Sequence, residues 1–110
     1  MEKWLLVAET SCNDPSREKE FNEWYNNVHI PDVLETPGIL RATRYETSDP
    51  GDGQGKYLAL YDVETEDIAK TLAVFGEVMT KKWEQGRMLD VLVAHSAIFY
   101  RQITAPVESK

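Results

Sequence analysis

The sequence is poor in the residues that most often announce a chemistry. Its 110 residues include one cysteine, Cys12, and two histidines, His29 and His95. A single cysteine excludes an internal disulfide and leaves no partner for a structural zinc site. Cys12 stands just before a candidate helix start, where a thiol pKa can fall, but a lone cysteine near the surface is more often incidental. There is no H-E-x-x-H and no clustered His, Cys or Asp spacing, so neither a metal nor any other cofactor is expected. G-x-S-x-G is absent, which argues against a serine nucleophile. The glycine-rich "SDPGDGQG" (48–55) contains no lysine and no P-loop spacing. It reads as a mobile hairpin tip or a lid at a pocket mouth rather than a phosphate cradle. Basic residues number 12 against 19 acidic ones, for a net charge of −7, and the Lys and Arg form no dense cluster. Nucleic acid and anionic membrane surfaces are therefore not expected partners. "MEKWLLVAETSC" holds only four or five apolar residues in a row, too few for a secretory h-region or a membrane span, so the expected location is cytoplasmic.

What is present is a foldable chain. Hydrophobic residues make up 42% and aromatics 10%, which argues against disorder. The length fits a single domain over 1–110, with a core from about residue 3 to 103 and a short polar tail, "TAPVESK". "KWLLVAE" reads as a buried strand. Asp14 is placed to cap a helix whose first position is Pro15. That helix carries Phe21, Trp24, Tyr25, Val28 and His29 on one face, and Pro31 is expected to end it near His29. "TPGILRATRYET" turns into a strand, and "KYLALYDVE" alternates Tyr57, Ala59, Tyr61 and Val63 against Leu58, Leu60 and Asp62. Thr65 can cap a second helix with a buried stripe of Ile68, Leu72, Phe75, Met79 and Trp83. "MLDVLVAHSAIFYRQI" supplies a last strand.

The order β-α-β-β-α-β predicts an α+β, ferredoxin-like βαββαβ fold: a four-stranded antiparallel sheet with two helices on one face. The strands offer apolar or aromatic residues to both sides, Trp4, Leu6 and Ala8 alternating with Leu5 and Val7. One sheet face would then stand open to water as a patch larger than soluble monomers usually show. Pairing two sheets face to face removes it, so a homodimer enclosing a lumen is expected. Whether Tyr57 and Tyr61, or Leu58 and Leu60, face that lumen is left open, because a one-residue slip in register swaps them.

"EFNEWYNNVHIPDVL", "PGIL", "RATRYE" and "YLALYDVE" together resemble the dimeric α+β barrel superfamily, and within it the small bacterial proteins grouped near the EthD-like domains. The resemblance covers roughly residues 3 to 101, and its most telling part is the W-Y-x-x-x-H-x-P spacing of Trp24, Tyr25, His29 and Pro31. It implies a dimeric α+β barrel and a range of activities: polyketide cyclases and dehydratases, lactone isomerases, cofactor-free monooxygenases, haem-degrading enzymes, and members with no known activity. Haem-degrading relatives use an Asn, Trp and His set with the histidine on the second helix. Here that helix has Trp83 and no histidine, which disfavours haem.

Each candidate residue has two readings. His29, at an expected helix C-terminus, either caps the last carbonyls or acts as a general acid/base, with a pKa raised by the helix dipole. Tyr25, one turn earlier, is either a core aromatic or the group that orients His29, and Trp24 is core or pocket wall. Arg44 either binds an anionic substrate or pairs with an acid, in the simplest case as a surface salt bridge. Tyr57 and Tyr61, with His95 on the last strand, form a second candidate set, although a histidine among apolar neighbours is commonly a core residue. The leading expectation is cofactor-free acid/base chemistry (cyclase, dehydratase or isomerase) on a small hydrophobic molecule, aromatic, polyketide-like or lactone-like. The alternatives are a cofactor-independent monooxygenase and a non-catalytic, small-molecule-binding or stress-related homodimer.

Overall fold

The structure, a computed structural model, describes residues 1–49, 51 and 55–110. The expected hairpin tip or lid falls largely on Pro50 and residues 52–54, outside the described residues. Strand β1 (Glu2–Cys12) is followed by a 3₁₀ turn (Pro15–Arg17), helix α1 (Glu18–Trp24), a five-residue π turn (Tyr25–His29) and α2 (Ile30–Val33). Then come β2 (Ile39–Glu46), β3 (Tyr57–Thr65), α3 (Ile68–Glu84) and β4 (Leu92–Arg101). The four strands form one antiparallel sheet in the order β2-β3-β1-β4, the expected ferredoxin-like arrangement. No helix among the described residues is long and apolar enough to cross a membrane.

The first helical segment starts as its sequence dictates. The Asp14 side chain accepts from the Ser16 backbone N–H at 3.0 Å, and Pro15 follows where no N–H is needed. The segment does not end near His29, contrary to expectation, but continues to Val33. The reason lies in the π turn: the Ile30 N–H reaches back five residues to the Tyr25 carbonyl. This wider turn makes room for Pro31, whose ring would otherwise press on the carbonyl four residues earlier.

Helix α3 also differs. Its cap is Asp67, whose side chain accepts from the Lys70 N–H at 3.3 Å, while Thr65 accepts from the Asp67 N–H. The Thr71 hydroxyl donates to Thr65 Oγ1 at 2.7 Å and is buried. Anchoring Thr71 against the sheet rotates the helix, so Phe75 and Met79 pack on the core as expected, whereas Leu72 (44% exposed) and Trp83 (71%) do not.

Pairing register assigns the faces. Thr10, Ala8, Leu6 and Trp4 of β1 stand opposite Tyr57, Ala59, Tyr61 and Val63 of β3. Phe21 of α1 meets Tyr57 at 5.6 Å between ring centroids, and Phe75 of α3 meets Phe99, the partner of Leu6, at 5.8 Å. Both helices therefore cover one face, and the core of Leu6, Phe21, Tyr25, Val33, Tyr61 and Val63 lies beneath them. Fully burying a side chain of Leu or Phe size contributes roughly 1.5–3 kcal/mol. The other face carries Leu5, Val7, Leu58 and Leu60, with Tyr45, Ile98 and Tyr100 about half exposed. Nothing among the described residues covers it.

The turn into β2 depends on Gly38, which has φ 96° and whose carbonyl accepts from the Glu64 N–H at 2.9 Å. A Cβ there would sit 2.9 Å from the Glu64 carbonyl oxygen. Gly38→Ala is expected to lower stability by more than ~1 kcal/mol, since backbone strain and the contact with a backbone oxygen act together. Thermal or urea unfolding reads this directly, and an unchanged midpoint would mean the turn relaxes.

Candidate functional site

The aromatic face of the first helical segment builds the site. Phe21 touches Trp24 and Tyr25 at centroid distances of 6.2 and 5.8 Å. His29 stacks on Trp24 at 5.0 Å with 22° between planes and meets Tyr25 edge-on at 4.8 Å. Residues 24 and 29 are five apart, a spacing that would put them on different sides of a regular α-helix at about 100° per residue. The π turn between them brings them onto one side. Trp24 is itself fixed, its Nε1–H donating to the Arg87 carbonyl at 2.8 Å.

His29 is half-buried, and its imidazole makes ring contacts but no side-chain hydrogen bond among the described residues. Burial pushes its pKa down to about 4; the Arg44 charge adds to the fall and Asp32 opposes it. This reverses the expected rise, and the cause is structural. His29 is not at a helix end, so no unpaired carbonyls stabilise the imidazolium, and desolvation decides the outcome. At neutral pH the ring is uncharged and presents a free lone pair.

Arg44 enters from β2, opposite Ala59, on the helix-covered face. Its Cζ lies 4.2 Å from the Tyr25 ring centroid, 5.1 Å from Tyr57 and 5.9 Å from Phe21. One terminal nitrogen, Nη1, donates to Asn26 Oδ1 at 2.9 Å. Nε and Nη2 are buried without a partner. No acid approaches the guanidinium within ion-pair distance among the described residues, so Arg44 is not a surface salt bridge; burial lowers its pKa and the three tyrosines partly offset this.

Four further buried polar atoms are unmet: the hydroxyl of Thr36 in the turn before β2, and the hydroxyls of Thr10, Tyr25 and Tyr61. The last three gather closely enough for Thr10 and Tyr61 to influence Tyr25, yet none completes a well-formed hydrogen bond. Burial pushes both tyrosine pKa values up, which keeps the phenols protonated. An orphaned buried hydroxyl is costly, and three of them beside two unpaired guanidinium nitrogens are unusual in a finished core. The broad surface depressions, of about 570 and 690 Å³, are lined by other residues at the Met1–Lys3 and Gly38–Glu64 end of the sheet. The unmet polar atoms, not those open depressions, mark the site.

Of the residues singled out by sequence, Trp24, Tyr25, His29, Arg44, Tyr57 and Tyr61 come together under α1. Tyr57 contributes its ring, its hydroxyl being occupied by Asn22 at 3.3 Å and Glu18 at 3.4 Å. Tyr57 and Tyr61 face the helices, so of the two sets left open they are not the one on the uncovered sheet face. His95 does not join the cluster. It is exposed in a bulge of β4 opposite Glu9 and Thr10, and its Nε2 pairs with Ser11 Oγ at 2.8 Å beside Gly55. Sequence reasoning missed Thr10 and Asn26: a threonine ending an apolar strand and an asparagine on a polar helix side carry no signal until the π turn and the strand register place them.

Known proteins resemble this chain in sequence and in structure. A curated relative, core atranone cluster (CAC) protein 1 of Stachybotrys chlorohalonatus, is 37% identical over 67 residues; the match spans 60% of this chain and about a quarter (27%) of the relative's length. Among solved structures, a dimeric ferredoxin-like protein from an uncultured marine organism superposes with a TM-score of 0.64 at 8% identity, over 96% of this chain and 100% of that one. An ethyl tert-butyl ether D (EthD) family protein from Bacillus halodurans gives 0.52 at 16%, over 94% and 100%. The monooxygenase from ActVA-Orf6 of Streptomyces coelicolor, solved with nanaomycin D, gives 0.54 at 14%, over 98% and 93%. The fold is thus the ferredoxin-like one that these solved structures share. Residues 8–96 match the model of a domain of unknown function, DUF4286, and the chain belongs to that family.

Proposed function

We propose that the protein is a cofactor-free, homodimeric enzyme in which His29 moves a proton next to a carbonyl of a small hydrophobic substrate, aromatic, polyketide-like or lactone-like. The outcome would be cyclisation, dehydration or isomerisation. One observation carries this reading: an uncharged imidazole with no hydrogen-bond partner, stacked on Trp24 and set edge-on to Tyr25. At neutral pH it is in the form that accepts a proton, and Tyr25 fixes its plane. Tyr57, Phe21 and Trp24 form the wall. Arg44 stands within electrostatic reach, so negative charge developing on an oxygen has a counterpart.

Proton exchange tests this without knowing the natural substrate. Carbonyl compounds of the stated classes are incubated with enzyme in heavy water, and deuterium entering next to the carbonyl is followed by NMR. Exchange that persists unchanged in His29→Gln would sink the proposal. Oxygen uptake in the same mixtures would point instead to a cofactor-independent monooxygenase. Binding without exchange or turnover would leave a small-molecule-binding module.

The homodimer rests on the open apolar face of Leu5, Val7, Leu58, Leu60, Ile98 and Tyr100. Ile98→Lys and Tyr100→Lys are expected to turn a dimer into a monomer in sedimentation. A wild-type monomer would end the idea.

A further inference from the structure

We propose that the inward edge of Arg44 is a carboxylate-binding subsite, so that the molecule taken by this protein is a hydrophobic monocarboxylic acid; this rests on the small-molecule reading above and gives it a substrate class. Arg44 spends one nitrogen, Nη1, on Asn26. The two that remain, Nε and Nη2, are not an arbitrary pair. They lie side by side on one edge of the guanidinium, with parallel N–H bonds in one plane, the edge that receives both oxygens of a carboxylate. Both are buried and unpartnered.

The surroundings restrict the ligand further. Tyr25 and Tyr61, each only 1% exposed, and Thr10, 6% exposed, hold hydroxyls that lie near one another without a well-formed hydrogen bond. The phenols stay protonated, so each can donate to an oxygen that already accepts from the guanidinium. A single positive charge serves the cluster. Lys56, the other cation beside Tyr57, is taken by Glu18 at 3.1 Å and Glu46 at 3.6 Å. A monoanion is balanced there; a phosphate or sulfate dianion would be left with uncompensated buried charge. The rings of Phe21, Trp24, Tyr25 and Tyr57 supply an apolar, flat-walled environment for the body of the acid.

Occupation of this edge also reaches His29. Arg44 is one of two charges acting on the imidazole, and it disfavours protonation. The other, Asp32, is held by Arg87 at 2.7 and 3.0 Å and stays as it is. A carboxylate on Arg44 cancels the opposing charge and makes His29 a stronger base when the acid is bound.

The test compares acids with their neutral, near-isosteric amides by calorimetry: benzoate, 2-naphthoate and anthracene-2-carboxylate against the corresponding carboxamides. At least one acid is expected to bind roughly ten- to a hundredfold tighter than its amide. Arg44→Lys should lose most of that preference, because an ammonium cannot present the paired edge. Arg44→Met should lose all of it while remaining folded, since removing a buried unpaired charge does not open the core. In wild type, the His29 ring signals should titrate at higher pH with the acid bound, a change that a merely structural arginine would not give. Equal binding of acid and amide, a preference that survives Arg44→Met, or no binding by any acid would each overturn the proposal. Its failure is separable from failure of the enzyme reading. Acid preference without proton exchange keeps the subsite and removes the catalysis, whereas exchange with no acid preference does the reverse.

Discussion

Asp32→Asn is expected to cost about 2–4 kcal/mol of folding stability, more than any exposed charge in this chain should command. Asp32 is 4% exposed, on α2, and its carboxylate accepts from Arg87 Nε at 2.7 Å and Nη2 at 3.0 Å. Lys82 stands 3.8 Å away with a largely covered side chain. The substitution leaves a fork of donors facing a group that can satisfy only part of it. Removing one partner of a fully buried pair costs about 3–5 kcal/mol, and the lower range here allows for the partial exposure of Arg87. The same residue links the clamp to the site, for the Arg87 carbonyl holds the Trp24 indole on which His29 stacks. Urea unfolding measures the loss as a shift in midpoint at constant slope. A change below ~0.5 kcal/mol, the range of ordinary surface substitutions, would show that the clamp contributes little.

His29 is expected to make the fold acid-sensitive in a window of its own. Its pKa falls from 6.5 in the unfolded chain to about 4 in the folded one. Above pH 6.5 both states are uncharged at this position and the full stability is present. As pH falls toward 4, the unfolded chain takes up a proton that the folded one refuses, so stability is lost and the loss is complete below the folded pKa. A gap of that size corresponds to about 3 kcal/mol. Carboxylates such as Asp14 and Glu20, held below their usual range by Ser16 and Arg17 respectively, titrate lower and in both variants alike. The difference between wild type and His29→Gln therefore isolates the histidine: the two curves should converge in neutral solution and part between about pH 6.5 and 4. Parallel curves would mean the ring is better solvated than its packing implies. In the exchange assay, the same variant should react roughly 10²–10⁴-fold more slowly, the usual contribution of a positioned base.

The fold was legible because it follows from patterns that sequence carries locally. Alternation marked Tyr57 to Val63 as a strand, the 3–4 spacing of Phe21, Trp24 and Tyr25 marked one helix face, and Asp14-Pro15 marked a start that the hydrogen bonds bear out. The site was legible only in its membership. Its geometry depends on a π turn, which is a shift in hydrogen bonding rather than a composition, and that shift carried the helix past His29. The His29 pKa moves opposite to the expected direction for the same reason: no helix ends at that residue. Leu72 and Trp83 stand off the core because Thr71, a polar residue with no hydrophobic signal, is buried in their place. The Asp32–Arg87 clamp joins residues 55 positions apart, and Arg44 stands out by lacking an acid. No local pattern announces either one.

A π turn is an α-helix with one residue too many, and that surplus sets the spacing here. Take one residue out of Asn26–Val28 and the backbone is free to return to the regular ladder, because five residues of the wide turn and four of a regular one advance the chain through nearly the same angle. Trp24 and His29 would then be four positions apart and still share a face, but Pro31 would lose the room the wide turn gives it. The wide turn is thus specified by a count as much as by its side chains. A homologue that kept Trp24, Tyr25, His29 and Arg44 but was shorter by that one residue would hold them on one face of a regular helix, with no wide turn to admit its proline.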